Sequence, residues 1–175
     1  TQTCMKSVYL GLGSNIGESQ NHLNLGLQAL QAHPQISLIS VSRLYETRPI
    51  GPAQDDYLNC AALIKTALEP EALLDICQEV ERLNGRERSE RWGSRPRDID
   101  VLIWPSIHID TERLPIPHPR IKDRLFVLAP LLDLPEANTI YLDGTPLSSH
   151  AEQCDPNDVR LTSLIWNGEA LQETT

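Results

Sequence analysis

Asp98 and Asp100 open a stretch in which Ile99, Val101 and Ile103 recur at every second position, the period of a β-strand. Residues two apart on a strand face the same side, so the two carboxylates point together. Like charges that close destabilise each other unless a cation lies between them or one holds a proton. Mg²⁺ suits such a pair, because it takes one or two carboxylates together with substrate phosphates and water. The plainer reading is a strand end ion-paired to Arg95 and Arg97. The neighbouring cations favour the first. Twelve of the 15 cationic residues are Arg, and six of them fall between Arg82 and Arg97 against two Glu, a local balance of +4. Arg presents a planar fork that binds phosphate bidentately, and Arg with Mg²⁺ is a common clamp for a polyphosphate. The same run can also be read as a solvated charged loop.

Other residues carry weaker signals. Trp92 stands inside the Arg segment, either to pack over an aromatic base or to anchor the loop on the core. Gly11-Leu12-Gly13 lies between a strand and a helix, but the next glycine, Gly17, is one residue too far for a dinucleotide fingerprint. A tight turn or a close backbone approach is the expected use of these glycines. Pro49-Ile50-Gly51-Pro52 forms a constrained loop leading to Tyr57 and Asn59. An amide such as Asn59 can read the edge of a heterocycle, since it both donates and accepts. Core packing and turn chemistry are the alternatives there. His118, between two prolines, reads as a loop cap or a phosphate donor, and Phe126 as core or as a stacking surface.

These residues must be carried by definite elements. Ser7–Gly13 predicts a strand, followed by a helix capped at Asn15 or Ser19 with Leu23, Leu27 and Leu30 on its buried side. Ile36–Tyr45 and Leu58–Thr66 predict strands. Pro70 begins a helix whose stripe of Leu73, Leu74, Cys77, Val80 and Leu83 ends at Gly85. The segment 86–97 predicts a loop, Ile99–Trp104 a strand, and Ile121–Leu132 short helical turns. Val159–Trp166 can add one edge strand in a weakly patterned tail. The order strand-helix-strand-strand-helix-strand is that of split βαβ folds, an α/β (α+β) class with a mainly antiparallel sheet.

Composition bounds the partners. The chain of 175 residues carries a net charge of −9, and the residues outside the Arg segment carry −13. Such acidity disfavours nonspecific binding to nucleic acid or anionic lipid. No apolar run reaches the ~20 residues of a membrane span, and no signal stretch is expected. Cys4, Cys60, Cys77 and Cys154 are too scattered for a structural zinc site; Cys60 and Cys77 read as buried hydrophobes in a reducing cytoplasm.

In order along the chain, these segments resemble the 6-hydroxymethyl-7,8-dihydropterin pyrophosphokinases. The likeness is carried by Tyr9-Leu10-Gly11-Leu12-Gly13-Ser14-Asn15, Tyr45-Glu46-Thr47 through Pro52, Asp56-Tyr57-Leu58-Asn59, and Glu81 with Gly85-Arg86. It continues through Glu90-Arg91-Trp92-Gly93, Arg95-Pro96-Arg97-Asp98-Ile99-Asp100, Pro117-His118-Pro119-Arg120 and Arg124-Leu125-Phe126 to Pro130-Leu131. It runs from about Val8 to Pro135. The resemblance implies a ferredoxin-like αβα sandwich, transfer of the β,γ-pyrophosphoryl group of ATP to the pterin hydroxymethyl, and release of AMP.

By the same resemblance Asp98 and Asp100 would hold two Mg²⁺, and Arg86 and Arg95 would act with them as catalytic residues. ATP would be bound by Gln78, Glu81, Arg88, Trp92, Arg95, Val101, His118 and Arg124. Tyr57 and Phe126 would sandwich the pterin, while Thr47, Ile50, Gly51, Pro52 and Asn59 line or read its edge. Ser94 stands where many members have Pro, and Leu125 where a smaller residue is common. The segment 86–97, with Gly85 and Gly93 as hinges, is expected to close over Mg²⁺–ATP. The whole chain, 1–175, is expected to be one domain and a cytoplasmic monomer, with a tail from about Asp155 that has no counterpart.

Two other classes fit part of the pattern. A ferredoxin-like sheet can bind single-stranded RNA, but that needs aromatic platforms and a basic face, and this chain is acidic with 5% aromatics. A nucleotide-binding regulator without catalysis would not need Asp98, Asp100, Arg86 and Arg95 together.

Overall fold

The computed structural model describes residues 5–14, 19–47, 57–83, 98–105 and 107–174, with Ser19 and Asp98 described by their backbone. The first half comprises β1 (Lys6–Ser14), α1 (Ser19–Ala32), β2 (Ile36–Val41), β3 (Tyr45–Thr47), β4 (Tyr57–Thr66), α2 (Pro70–Leu83) and β5 (Asp98–Ile103). Two short strands follow, β6 (Ile109–Asp110) and β7 (Pro115–Ile116), then α3 (Leu125–Leu132). The remainder holds β8 (Tyr141–Leu142), β9 (Thr145–Pro146), α4 (Leu147–Glu152), β10 (Val159–Leu161), β11 (Leu164–Trp166) and β12 (Leu171–Glu173).

The main sheet runs β10-β3-β4-β1-β5, with β2 also paired to β4, and its strand pairs are antiparallel. Side-chain alternation divides it into two apolar faces. Val8, Leu10 and Leu12 of β1, with Leu58, Cys60, Ala62 and Ile64 of β4, pack against Leu23, Leu27 and Leu30 of α1 and Leu73, Leu74, Cys77 and Val80 of α2. On the other face Tyr9, Ala61 and Leu63 meet Leu128 and Leu131 of α3 and Leu147 of α4. The result is a mixed α/β fold with helices on both sides of the sheet. α2 begins on Pro70, carries Glu71 in its first turn and Arg82 in its last, and so matches the helix dipole at both ends.

One expected strand divides in two. Ile36–Tyr45 forms β2 and β3, which pair with opposite halves of β4: Ile36 opposite Thr66 and Val41 opposite Ala62, then Tyr45 opposite Asn59 and Thr47 opposite Tyr57. Between them the Ser42 backbone N–H donates to the Ala61 carbonyl, and the Ala61 N–H donates to Ser42 Oγ, each at 2.8 Å. A side chain thus takes over one rung of the ladder. The edge strand expected over Val159–Trp166 likewise divides. β10 pairs with β3, while β11 pairs with β12 as a hairpin whose Leu164 and Leu171 enter the core beside α1. Asn24, Gln28 and Gln31 of α1 hold that hairpin through the Leu171 N–H and the Glu169 and Gly168 carbonyls.

Candidate active site

The face of the sheet that carries α3 also carries a cavity of about 710 Å³. Its floor is β1. Gly13 pairs with Asn59 on one side and Asp98 on the other, and Gly11 pairs with Ala61 and Asp100. A Cβ on Gly13 would lie 2.8 Å from Asn59 Oδ1, and one on Gly11 would lie 2.9 Å from Leu102 Cδ1. The glycines are therefore mid-strand floor positions where neighbouring side chains cross close to the backbone. The expected close approach is present; Gly11 and Gly13 form no turn.

At one end of the floor Tyr57, Asn59 and Thr47 gather from β4 and β3. Asn59 and Thr47 are both buried, and the Asn59 Nδ2 donates to Thr47 Oγ1 at 2.7 Å. That bond orients the amide. Phe126, at the start of α3, lines the same cavity. The Arg124 guanidinium lies 5.5 Å from the Phe126 ring centroid, within cation–π range.

The lining is also charged. Asp100 enters it from β5, and His118, Arg120, Asp123 and Arg124 line the same cavity. The His118 N–H donates to the Leu102 carbonyl at 2.9 Å, fixing the loop after β7 to the β5 strand. Leu102 is the extra residue of a β-bulge against β1, where the register shifts between Tyr9 and Leu10. Burial lowers the His118 pKa below its ordinary 6.5, Arg124 and Arg120 push the same way, and the Asp100 charge opposes them. The imidazole is thereby biased towards the neutral form.

Glu81 is 4% exposed, and its Oε2 accepts the Ile99 N–H at 2.5 Å. An α2 carboxylate thus braces the strand that presents Asp98 and Asp100. Gln78 is exposed on α2, and Val101 is buried in the core against α1 and α2. Gln78, Glu81 and Val101 do not line the cavity, unlike Thr47, Tyr57, Asn59, Asp100, His118, Arg124 and Phe126. Ile50, Gly51, Pro52, Arg86, Arg88, Trp92 and Arg95 lie outside the described residues, as does the expected closing of the 86–97 segment. Four charged or polar residues of the lining had no assigned role in the sequence: Arg120, Asp123, Asn157 and Asp158. For the last two the signal was the Asp155-Pro156-Asn157-Asp158 turn before a β-branched residue. That turn is formed, with Asp155 Oδ1 accepting the Asn157 N–H at 2.9 Å.

Among the described residues no cluster of three His, Cys, Asp or Glu is poised to hold a metal. Asp98 and Asp100 stand two residues apart on β5, opposite Gly13 and Gly11, and a carboxylate on the cavity lining such as Asp100 is of the type that Mg²⁺ takes beside phosphates and water. No described helix is long and apolar enough to cross a membrane.

Residues 9–136 match the family model described as 7,8-dihydro-6-hydroxymethylpterin-pyrophosphokinase. A 2-amino-4-hydroxy-6-hydroxymethyldihydropteridine pyrophosphokinase of Bacillus subtilis is 44% identical over 127 residues, covering 72% of this chain and 76% of that protein. A protein of the same name from Methylorubrum extorquens is 38% identical over 156 residues, covering 89% of this chain and 98% of that one. Among solved structures, the wild-type Plasmodium falciparum HPPK-DHPS with pteroate superposes with a TM-score of 0.72 at 14% identity, over 99% of this chain. This chain spans 50% of the length of that solved chain, and the likeness there is one of fold.

Proposed function

We propose, from the premise that this chain belongs to the 7,8-dihydro-6-hydroxymethylpterin-pyrophosphokinase family, that it moves pyrophosphate from ATP to 6-hydroxymethyl-7,8-dihydropterin in folate biosynthesis. The hydroxymethyl oxygen attacks the β-phosphorus of ATP, the bond from that phosphorus to the α,β-bridging oxygen breaks, and AMP leaves. The hydroxyl proton passes to solvent. The observation that carries the reading is the mixed lining of one cavity, where the rings of Tyr57 and Phe126 and the amide of Asn59 stand together with Asp100, His118 and Arg124.

Tyr57 and Phe126 hold the pterin ring, while Asn59, oriented by Thr47, reads its edge. Ile50, Gly51 and Pro52 are assigned to the same ring. Asp98 and Asp100 would hold two Mg²⁺, which supply charge neutralisation to the ATP phosphates when bound. His118, neutral and anchored to β5, can donate one ring N–H to a phosphate oxygen. Arg124 adds a fixed positive charge, and Arg86, Arg88, Arg95 and Trp92 are also assigned to ATP. Gln78, Glu81 and Val101 serve the nucleotide from behind β5, with Glu81 acting through the Ile99 backbone. Positioning and charge neutralisation supply most of the rate in such transfers, so no strong base is required.

The chain works as a single domain, as a monomer, and in the cytoplasm, where ATP is available. The test follows the label: with γ-labelled ATP and the pterin, label should appear in a pterin diphosphate and the nucleotide product should be AMP. Production of ADP would overturn the reading.

A further inference from the structure

Asp133 follows the last turn of α3 and is 14% exposed at its side chain. Its carboxylate receives four donors from Arg43, in the link between β2 and β3, and Tyr45, at the start of β3. Oδ2 accepts the Arg43 N–H and the Arg43 Nε–H, each at 3.1 Å, and the Tyr45 hydroxyl at 3.0 Å; Oδ1 accepts Arg43 Nη2–H at 2.8 Å. The Arg43 guanidinium also lies 6.0 Å from the Tyr45 ring centroid, and burial lifts the Tyr45 phenol to about 12 so that it stays a donor. A second tie runs parallel, from the buried Tyr9 hydroxyl to the Pro135 carbonyl at 2.8 Å.

None of these groups lines the cavity, yet the elements they join are its two pterin walls. Tyr45 pairs with Asn59, and two residues on Thr47 pairs with Tyr57. At the far end of α3 stands Phe126. An eight-residue helix is rigid and about 12 Å long, so fixing one end fixes the other. We infer that Asp133 is a positioning residue: by clamping Arg43 and Tyr45 to the end of α3 it sets the gap between Thr47–Asn59 and Phe126. This rests on the pterin reading of the cavity. The bland competitor is a partly exposed ion pair that stabilises the fold and nothing more.

The two make different kinetic predictions. Steady-state assays of the full chain, reading AMP while pterin and Mg²⁺–ATP are varied separately, should be run on Asp133→Asn, Tyr45→Phe and Arg43→Met. Loosening the clamp should raise KM for the pterin about tenfold in Asp133→Asn and about threefold in Tyr45→Phe, the scale of coupled network residues. KM for ATP should rise less than KM for the pterin, because Asp100 lies on β5 and His118 is anchored to it, and of the proposed phosphate-binding groups in the cavity lining only Arg124 rides on α3. The double variant Asp133→Asn/Tyr45→Phe should be less than multiplicative. Unchanged KM values for both substrates, with only a lower melting temperature or active fraction, would overturn the inference. If Asp133→Asn does not fold, Arg43→Met, whose side chain is 54% exposed, and Tyr45→Phe decide it by the same split. A wild-type chain that gives no AMP with the pterin would overturn the reading and this inference together. Wild-type turnover with unmoved pterin KM in the variants would overturn the inference alone.

Discussion

Gly13 and Asn59 are cross-strand partners, and the space a Cβ on Gly13 would need is already held by the Asn59 amide oxygen, 2.8 Å away. Gly13→Ala must therefore displace an amide whose other arm donates to Thr47. The expected cost is about 1 kcal/mol in urea unfolding, the value of one net hydrogen bond. Pterin affinity should fall with it, while ATP affinity holds. A variant that binds pterin as tightly as the parent would mean that Asn59 does not read the ring.

Asp100 is exposed on β5 and lines the cavity, so its replacement should cost the fold little. Asp100→Asn and Asp98→Asn should each lower AMP production about 100-fold or more, the scale of losing one electrostatic contact to the transition state. Thermal melts should stay close to the parent. Retained Mg²⁺-dependent turnover in both variants would remove the metal assignment.

For the aromatic rings of the lining, Tyr57→Ala and Phe126→Ala should each weaken pterin binding by about 1–3 kcal/mol, the range for stacking on a heterocycle. Equilibrium binding with a non-hydrolysable ATP analogue present gives the number directly. Phe126→Ala should also free the Arg124 guanidinium from the ring it now lies over. Unchanged affinity in a folded variant would leave that ring a packing residue only.

His118 supplies a pH signature. Its folded pKa is lowered from 6.5 by burial, so the unfolded chain takes up its proton first as pH falls. The stability due to neutral His118 is complete above about 6.5 and is lost as pH drops below it. Urea titrations of the parent and His118→Gln should show the stability difference shifting against the parent between pH 7.5 and 5.5. A constant difference across that range would mean that His118 titrates as it does in the unfolded chain.

Much of this was legible because it is local. The start of α2 follows from Pro70, and its stripe is buried from Leu73 to Val80; Leu83, expected on the same stripe, is exposed, and the expected stop at Gly85 lies outside the described residues. Cys60 and Cys77 are buried as their apolar neighbours suggest, and burial raises the Cys60 thiol to about 12. The break between β2 and β3 was hidden, because β-branched residues continue on both sides and the rung is made by the Ser42 hydroxyl, which no periodicity records. β10, β11 and β12 have three residues each, too few to show alternation. β10 takes its position from pairing with β3, and the β11–β12 hairpin takes its position from α1, both far away in sequence. For the site, the types at Tyr57, Asn59, His118 and Phe126 were readable, whereas their meeting depends on the register of β4 on β1 and on the bulge at Leu102. Asn157 and Asp158 reach the cavity only because β10 lies against β3, a partnership no local pattern announces.

The β10–β3 pairing also orders events during synthesis. Val159 pairs with Thr47, and Arg160 with Glu46 in an ion pair 114 positions apart in the chain. β1, α1, β2, β3, β4 and α2 emerge from the ribosome first and can assemble among themselves, since their contacts are nearer in sequence. The cavity wall at Thr47 nevertheless keeps an open strand edge until residue 161 has been made. A nascent chain halted at residue 136 would hold the whole family-matched region and still lack Asn157 and Asp158 of the cavity lining. That part of the wall is thus completed late, after the strands that form the floor.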